Sequence, residues 1–223
     1  MTAAAALANR WCGPGLVRLL RANVTGRDNV PRSGGVLLAV NHLSFLDHIL
    51  LAAASPRPLL FLGKSELSSG IGGRLNLAMG MVPVERGRGD LGALDTVGEL
   101  VSGGSAVAIF PEGTRSPTGE LFQFRSGLAR VAAAMQMPVV PVGLIGTQIV
   151  WPRGENPAAR RPRPGILSVS FGRALEPPLP DPRSRRRFTE SLTEAVAALS
   201  QQTRADRFAP ISSTPAAPPP PPL

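Results

Sequence analysis

Short apolar runs separated by helix-like segments constrain this 223-residue chain more than any other feature. Val36-Leu37-Leu38-Ala39-Val40 has no polar residue in it, as expected of a strand covered on both faces. Further runs stand at residues 59–62, 81–84, 106–110, 139–145 and 166–171. Helix signals fall between them. Residues 44–54 read as a helix, and a short one near 70–78 closes at Gly80. Asp90 can cap a helix with Leu91, Leu94, Val97 and Val101 on one face, ended by Gly103-Gly104, and Ser126 opens another through about Met135. Asp181-Pro182 places proline directly after an N-cap, and Phe188, Leu192, Ala195, Val196 and Leu199 form the stripe of a last helix. This alternation predicts an α/β fold: one domain, a mainly parallel or mixed sheet flanked by helices. In such sheets ligands collect beyond the carboxyl ends of the strands.

The sequence divides into three parts. Residues 1–24 carry Leu16, Val17, Leu19, Leu20 and Val24 among Arg18 and Arg21, which suits an amphipathic helix lying on a membrane surface or packed on the domain. Residues 25–203 hold the domain. Residues 204–223 end in a Pro/Ala/Ser stretch that cannot build a core and reads as a disordered tail. The net charge is +9 and all but one of the 24 basic residues are arginine, which favours an anionic partner. Aromatic residues make up only 4% and tyrosine is absent, so a nucleic-acid module with stacking residues is excluded. No stretch reads as a spanning helix, because Val131–Pro152 is interrupted by Pro138, Pro141, Gly143 and Gly146. A peripheral position on the cytoplasmic face of the cell membrane is therefore expected. No metal-ligand cluster is visible and no cofactor is expected.

Chemistry concentrates just after the first run, in Asn41-His42-Leu43-Ser44-Phe45-Leu46-Asp47. Five helical residues turn by about 500°, so His42 and Asp47 would not share a helix face. With Ser44 as N-cap, Asp47 sits at the third helical position and leans back over the turn carrying His42. A carboxylate on one ring nitrogen fixes the tautomer and leaves the other nitrogen as a base. Alone, the same pair also fits a capping carboxylate beside a strand-end histidine. Phe110-Pro111-Glu112-Gly113-Thr114-Arg115-Ser116 leaves a later strand with an acid, a hydroxyl and an arginine close together, a composition suited to phosphate. Val82-Pro83-Val84-Glu85-Arg86 repeats a strand ending in an acid–arginine pair. Each of these, alone, fits a solvated ion pair.

Taken in order, Asn41-His42-x4-Asp47, Gly80–Arg86, Phe110–Ser116 and Val140-Pro141-Val142 resemble the four sequence blocks of the glycerolipid acyltransferase family, in particular the bacterial 1-acyl-sn-glycerol-3-phosphate acyltransferases. The similarity covers roughly residues 22–180. It implies a glycerol-phosphate-acyltransferase-like fold, with His42 as base and Asp47 as its orienting partner. It also implies that Arg86 contacts the acceptor phosphate, that Glu112, Gly113, Thr114 and Arg115 form the acceptor-binding turn, and that Pro141 shapes the acyl side. Asn41, Lys64 and Arg125 stand at supporting positions. Glu85 and Arg125 replace the family's usual Asp and Lys, keeping the charge.

The chemistry implied is transfer of a fatty acyl group from acyl-CoA or acyl-carrier protein to the sn-2 hydroxyl of 1-acylglycerol-3-phosphate, giving phosphatidic acid. Acylation of another lysophospholipid or lipid-linked acceptor, or anionic-lipid binding without catalysis, stay open. The lone cysteine, Cys12, lies outside every block, so direct transfer is expected rather than an acyl-enzyme. Arg153, Arg160, Arg161 and Arg163, with Arg183 and Arg185–Arg187, are the candidate contacts to an anionic membrane surface.

Overall fold

The computed structural model describes residues 13–84, 91–155 and 162–210. Its strands are β1 (Asn23–Thr25), β2 (Val36–Val40), β3 (Leu59–Lys64), β4 (Met81–Val84), β5 (Ala106–Ile109), β6 (Val139–Ile145) and β7 (Ser168–Phe171). Its helices are α1 (13–19), α2 (Leu46–Ala54), α3 (Gly70–Ala78), α4 (Leu91–Ser102), α5 (Gly127–Met135), α6 (Thr147–Val150) and α7 (Pro182–Ser200). The strands form one sheet in the order β1-β7-β6-β2-β5-β3-β4. From β6 to β4 they are parallel, while β7 runs antiparallel to β6 and carries β1 alongside it. The mixed, helix-flanked sheet expected from the sequence is the one observed.

Strand alternation explains why β2 has to be wholly apolar. Val36, Leu38 and Val40 pack into a core with α2, whereas Leu37 and Ala39 pack into a second core with α4, α5 and α7. The chain leaves β2 into α2 on one face and leaves β5 toward α5 on the other. Divergent exits from neighbouring strands open a crevice at their carboxyl ends. Asp181 caps α7 as expected, accepting from the Ser184 N–H at 2.9 Å, and Gly80 closes the α3 turn with φ +97°.

Three expectations need correction. Residues 13–24 belong to the domain: Val17, Leu20, Ala22 and Val24 pack on the α2-side core, and β1 pairs with β7. Gly13 lies so close to α2 that a Cβ there would sit 2.9 Å from the Ala53 carbonyl oxygen. Amphipathic periodicity shows that one helix face is apolar, but the same face suits a core or a bilayer. Residues 1–12, including Cys12, lie outside the described residues. The boundary at 204 also moves. Ala205 and Ala209 are buried beside Phe122, and the backbone of 203–207 pairs with Leu121 and Gln123. Backbone hydrogen bonds hold a segment whose composition could not form a core, and 211–223 lie outside the described residues. Finally, α2 starts at Leu46, later than Ser44. No helix among the described residues is long and apolar enough to cross a membrane.

Candidate active site

The carboxyl ends of β6, β2 and β5, adjacent in the sheet, supply the site. His42 follows β2, and its Nδ1 lies 2.7 Å from Asp47 Oδ2. The same oxygen accepts the backbone N–H groups of Leu43 (2.7 Å) and Ser44 (2.8 Å). An ionised carboxylate only accepts, so this contact makes Nδ1 the protonated nitrogen and leaves Nε2 as the nitrogen with the lone pair. Ser44 Oγ takes the Leu46 N–H (3.1 Å), and Asp47 accepts from Ser44 as a capping box requires. The reciprocal half differs from expectation, because the hydroxyl bonds Leu46 and not Asp47. The consequence expected of the cap nevertheless stands: a fully buried carboxylate leaning back over the His42 turn.

The loop after β5 is built around Glu112. This carboxylate is wholly buried, with Oε1 accepting the His42 N–H at 2.8 Å and Oε2 the Phe122 N–H at 3.0 Å. Burial raises its pKa to about 7, against the two hydrogen bonds that favour the charged form. Both oxygens are occupied, so Glu112 ties the loop to the histidine turn and does not face an acceptor, which corrects the expectation for this residue. Ser116 adds a second tie, its N–H donating to the His42 carbonyl at 2.8 Å. Gly113 turns the chain at φ +80°, a conformation glycine adopts freely, with Arg125 so close that a Cβ would meet its Nε at 3.0 Å. Thr114 is half-buried in the same turn.

Arg115 is the cation of this loop. Its guanidinium is half-buried and, among the described residues, forms no ion pair. Burial and the neighbouring Arg153 pull its pKa below the usual arginine range, and Asp47 opposes them. The remaining expected residues do other work. Asn41 is a buried clamp from β2 to β6, donating to the Leu144 carbonyl (2.9 Å) and accepting the Leu144 N–H (2.8 Å). Pro141 is paired with Ala39 inside the sheet and its carbonyl accepts from Gly172, so it is a core residue of β6. Arg125 reaches the Ala209 carbonyl and the Phe208 ring on the carboxyl-terminal segment. Lys64 closes β3. Arg86 lies outside the described residues.

The sequence reading missed His48. Its ring stands edge-on to His42 with centroids 5.2 Å apart, while Phe110 stacks on the other histidine at 4.1 Å. Phe61 and Phe110 enclose His48, whose Nδ1 is buried without a hydrogen-bond partner. Burial, then the proximity of His42, lowers its pKa to about 4, so it is neutral beside His42. The available signal was its position immediately after Asp47, but a histidine on an apolar helix face ordinarily reads as core.

An acyltransferase family model matches residues 21–145, more than half of the chain. The chain belongs to the acyltransferase family. It is 34% identical over 155 residues to the chloroplastic 1-acyl-sn-glycerol-3-phosphate acyltransferase BAT2 of Brassica napus, covering 67% of this chain and 44% of that protein. It is 33% identical over 131 residues to a probable 1-acyl-sn-glycerol-3-phosphate acyltransferase of Mycoplasma genitalium, covering 56% of this chain and 49% of that protein. This acyltransferase chain spans about half the length of the curated relatives it matches. The fold agrees with the crystal structure of the 1-acyl-sn-glycerophosphate acyltransferase PlsC from Thermotoga maritima, at TM-score 0.66 and 24% identity over 86% of this chain and 79% of that one.

Proposed function

We propose that the protein transfers a fatty acyl group from an acyl thioester, acyl-CoA or acyl-carrier protein, to the sn-2 hydroxyl of 1-acylglycerol-3-phosphate. The observation that carries this reading is a His42–Asp47 pair with its carboxylate fully buried, beside a half-buried Arg115 that has no ion pair among the described residues. His42 Nε2 takes the hydroxyl proton as the oxygen attacks the thioester carbonyl. Asp47 holds the imidazolium that forms, and the proton then passes to the departing thiolate. A positioned base of this kind contributes about 10²–10⁴-fold. Arg115 receives the acceptor's phosphate and Arg86 assists it, which places the hydroxyl against the base. The names of the related proteins support the same acceptor.

The acceptor and the product are amphiphiles of the bilayer, so the protein works at an anionic membrane surface, on the cytoplasmic face. The exposed Arg183, Arg186 and Arg187 at the start of α7, without ion pairs among the described residues, supply attraction that salt screens.

The test is an assay of the purified protein against a panel of lysophospholipids with both donors. Phosphatidic acid should form from 1-acylglycerol-3-phosphate. Arg115→Ala should lower use of that acceptor by about 10–100-fold, the value of one charge-assisted hydrogen bond, while leaving the donor KM unchanged. No transfer to this acceptor with either donor would refute the reading.

A further inference from the structure

The sequence places Arg153 in a basic linker directed at the membrane, but the fold brings it to the loop that carries Arg115. Its Nη1 donates to the Arg115 carbonyl at 3.3 Å. The two arginines arrive from different strands, Arg115 after β5 and Arg153 after β6. The segment carrying Arg153 is also fixed to the histidine turn. Ser44 Oγ donates to the Trp151 carbonyl at 2.6 Å, Phe45 and Trp151 pack with ring centroids 5.2 Å apart, and Trp151 Nε1 donates to the Glu155 carbonyl at 2.9 Å. Ser44 and Phe45 lie between His42 and Asp47, so the base and Arg153 are held by one turn.

Elsewhere, Arg204 pairs with Glu190 and Glu194, Arg207 with Glu120, and Arg32 with Asp28. Among the described residues, neither Arg115 nor Arg153 has a carboxylate partner, and Arg153 is close enough to disfavour the charge on Arg115. Two like charges held together in a partly desolvated site, with the nearby Asp47 carboxylate already committed to His42 and two backbone N–H groups, are unfavourable unless an anion completes them.

We propose that Arg153 is a second acceptor-binding residue, forming with Arg115 a two-guanidinium clamp that prefers a phosphate monoester to a phosphodiester. The proposal rests on the acyltransferase reading above. A phosphate monoester carries close to two negative charges at neutral pH, because its second pKa is about 6, whereas a diester carries one. Two planar donor forks match the first and are wasted in part on the second.

The experiment compares wild type with Arg153→Gln and Arg153→Lys, after matched thermal unfolding shows that all three are folded. Rates are measured for 1-acylglycerol-3-phosphate and for 1-acylglycerophosphoglycerol, a diester, at saturating donor. For Arg153→Gln, kcat/KM on the monoester should fall about 10–100-fold and on the diester less than about 3-fold, with donor KM unchanged. Arg153→Lys should recover part of the loss. Equal falls on both acceptors, or an effect confined to donor KM, would overturn the clamp. A second readout needs no turnover: calorimetric titration with sn-glycerol 3-phosphate should show binding to wild type and at least about tenfold weaker binding to Arg153→Gln. A wild type that binds none, or a variant that binds as well, also overturns it. A wild type that binds glycerol 3-phosphate but transfers no acyl group instead removes the catalytic reading and leaves the clamp standing.

Discussion

Asp47→Asn separates the catalytic from the structural work of one buried carboxylate. In the protein, Oδ2 accepts three hydrogen bonds, from His42 Nδ1, Leu43 N and Ser44 N, while Oδ1 is buried with no partner. An asparagine oxygen can keep the same three donors. Each bond then loses its charge assistance, about 1 kcal/mol apiece. The new amide N–H group at the Oδ1 position has no acceptor, a further cost of about 1–3 kcal/mol. Against both, removing an ionised group from a fully buried position returns several kcal/mol of desolvation. These terms largely cancel, so net stability should fall by only about 0–3 kcal/mol. At this chain length that is a melting-temperature decrease of no more than about 12 °C.

The catalytic term has no such offset. In the proposed reaction His42 gains positive charge as it takes the hydroxyl proton, so Asp47 stabilises the transition state more than the ground state. If the amide turns its NH₂ toward His42, the tautomer is wrong as well. We expect kcat to fall by about 10²–10⁴-fold with the fold retained. Thiol release from the acyl donor gives the rate, and thermal unfolding of the same preparation gives stability. A variant with near-normal melting and kcat within about threefold of wild type would refute the assignment of Asp47 as the partner of a base.

Other substitutions test the remaining parts. His42→Ala should stay folded and lose about two to four orders of magnitude in kcat, and near-wild-type turnover in a preparation free of host enzyme would remove the base. Glu112→Ala should destabilise by about 2–6 kcal/mol in denaturant unfolding, because the His42 and Phe122 N–H groups lose their only acceptor; a loss under about 1 kcal/mol would contradict the tie. His48 should weaken the fold as pH falls. Its pKa in the folded protein, about 4, lies below the ordinary 6.5, so the unfolded chain binds the extra proton first. This contribution should cost at most about 3 kcal/mol as pH falls from 6.5 to 4, while Glu112, whose carboxyl is raised to about 7, acts in the opposite direction over the same range, so the effect is read as the difference in pH slope between wild type and His48→Asn. Unfolding curves with the same pH slope in both proteins would show that His48 is not the titrating group.

Much of the α/β architecture was legible because burial on both faces leaves a plain mark. A strand such as Val36–Val40 that packs into two cores has no position where a polar residue is tolerated. The histidine–aspartate pair was legible for a related reason: both residues belong to one turn, and local geometry follows from a helix start and the direction of helical side chains. Glu112, Arg153 and His48 were not legible in this way. Whether Glu112 meets a substrate or the backbone of His42 depends on how the β5 exit lies against the β2 exit, 70 residues apart in sequence. Arg153 reads as one more arginine of a linker until β6 is set beside β2 and its exit is pinned to Ser44. The carboxyl-terminal segment through Ala209 is held by backbone pairing with Leu121 and Gln123, and backbone groups carry no sequence signature. The sequence by itself determined the elements and the pairing of His42 with Asp47, because both arise within a few residues. Only the tertiary structure decided which charges are buried, which are paired and which face the base, because those depend on contacts between strand exits that the chain connects by long crossovers.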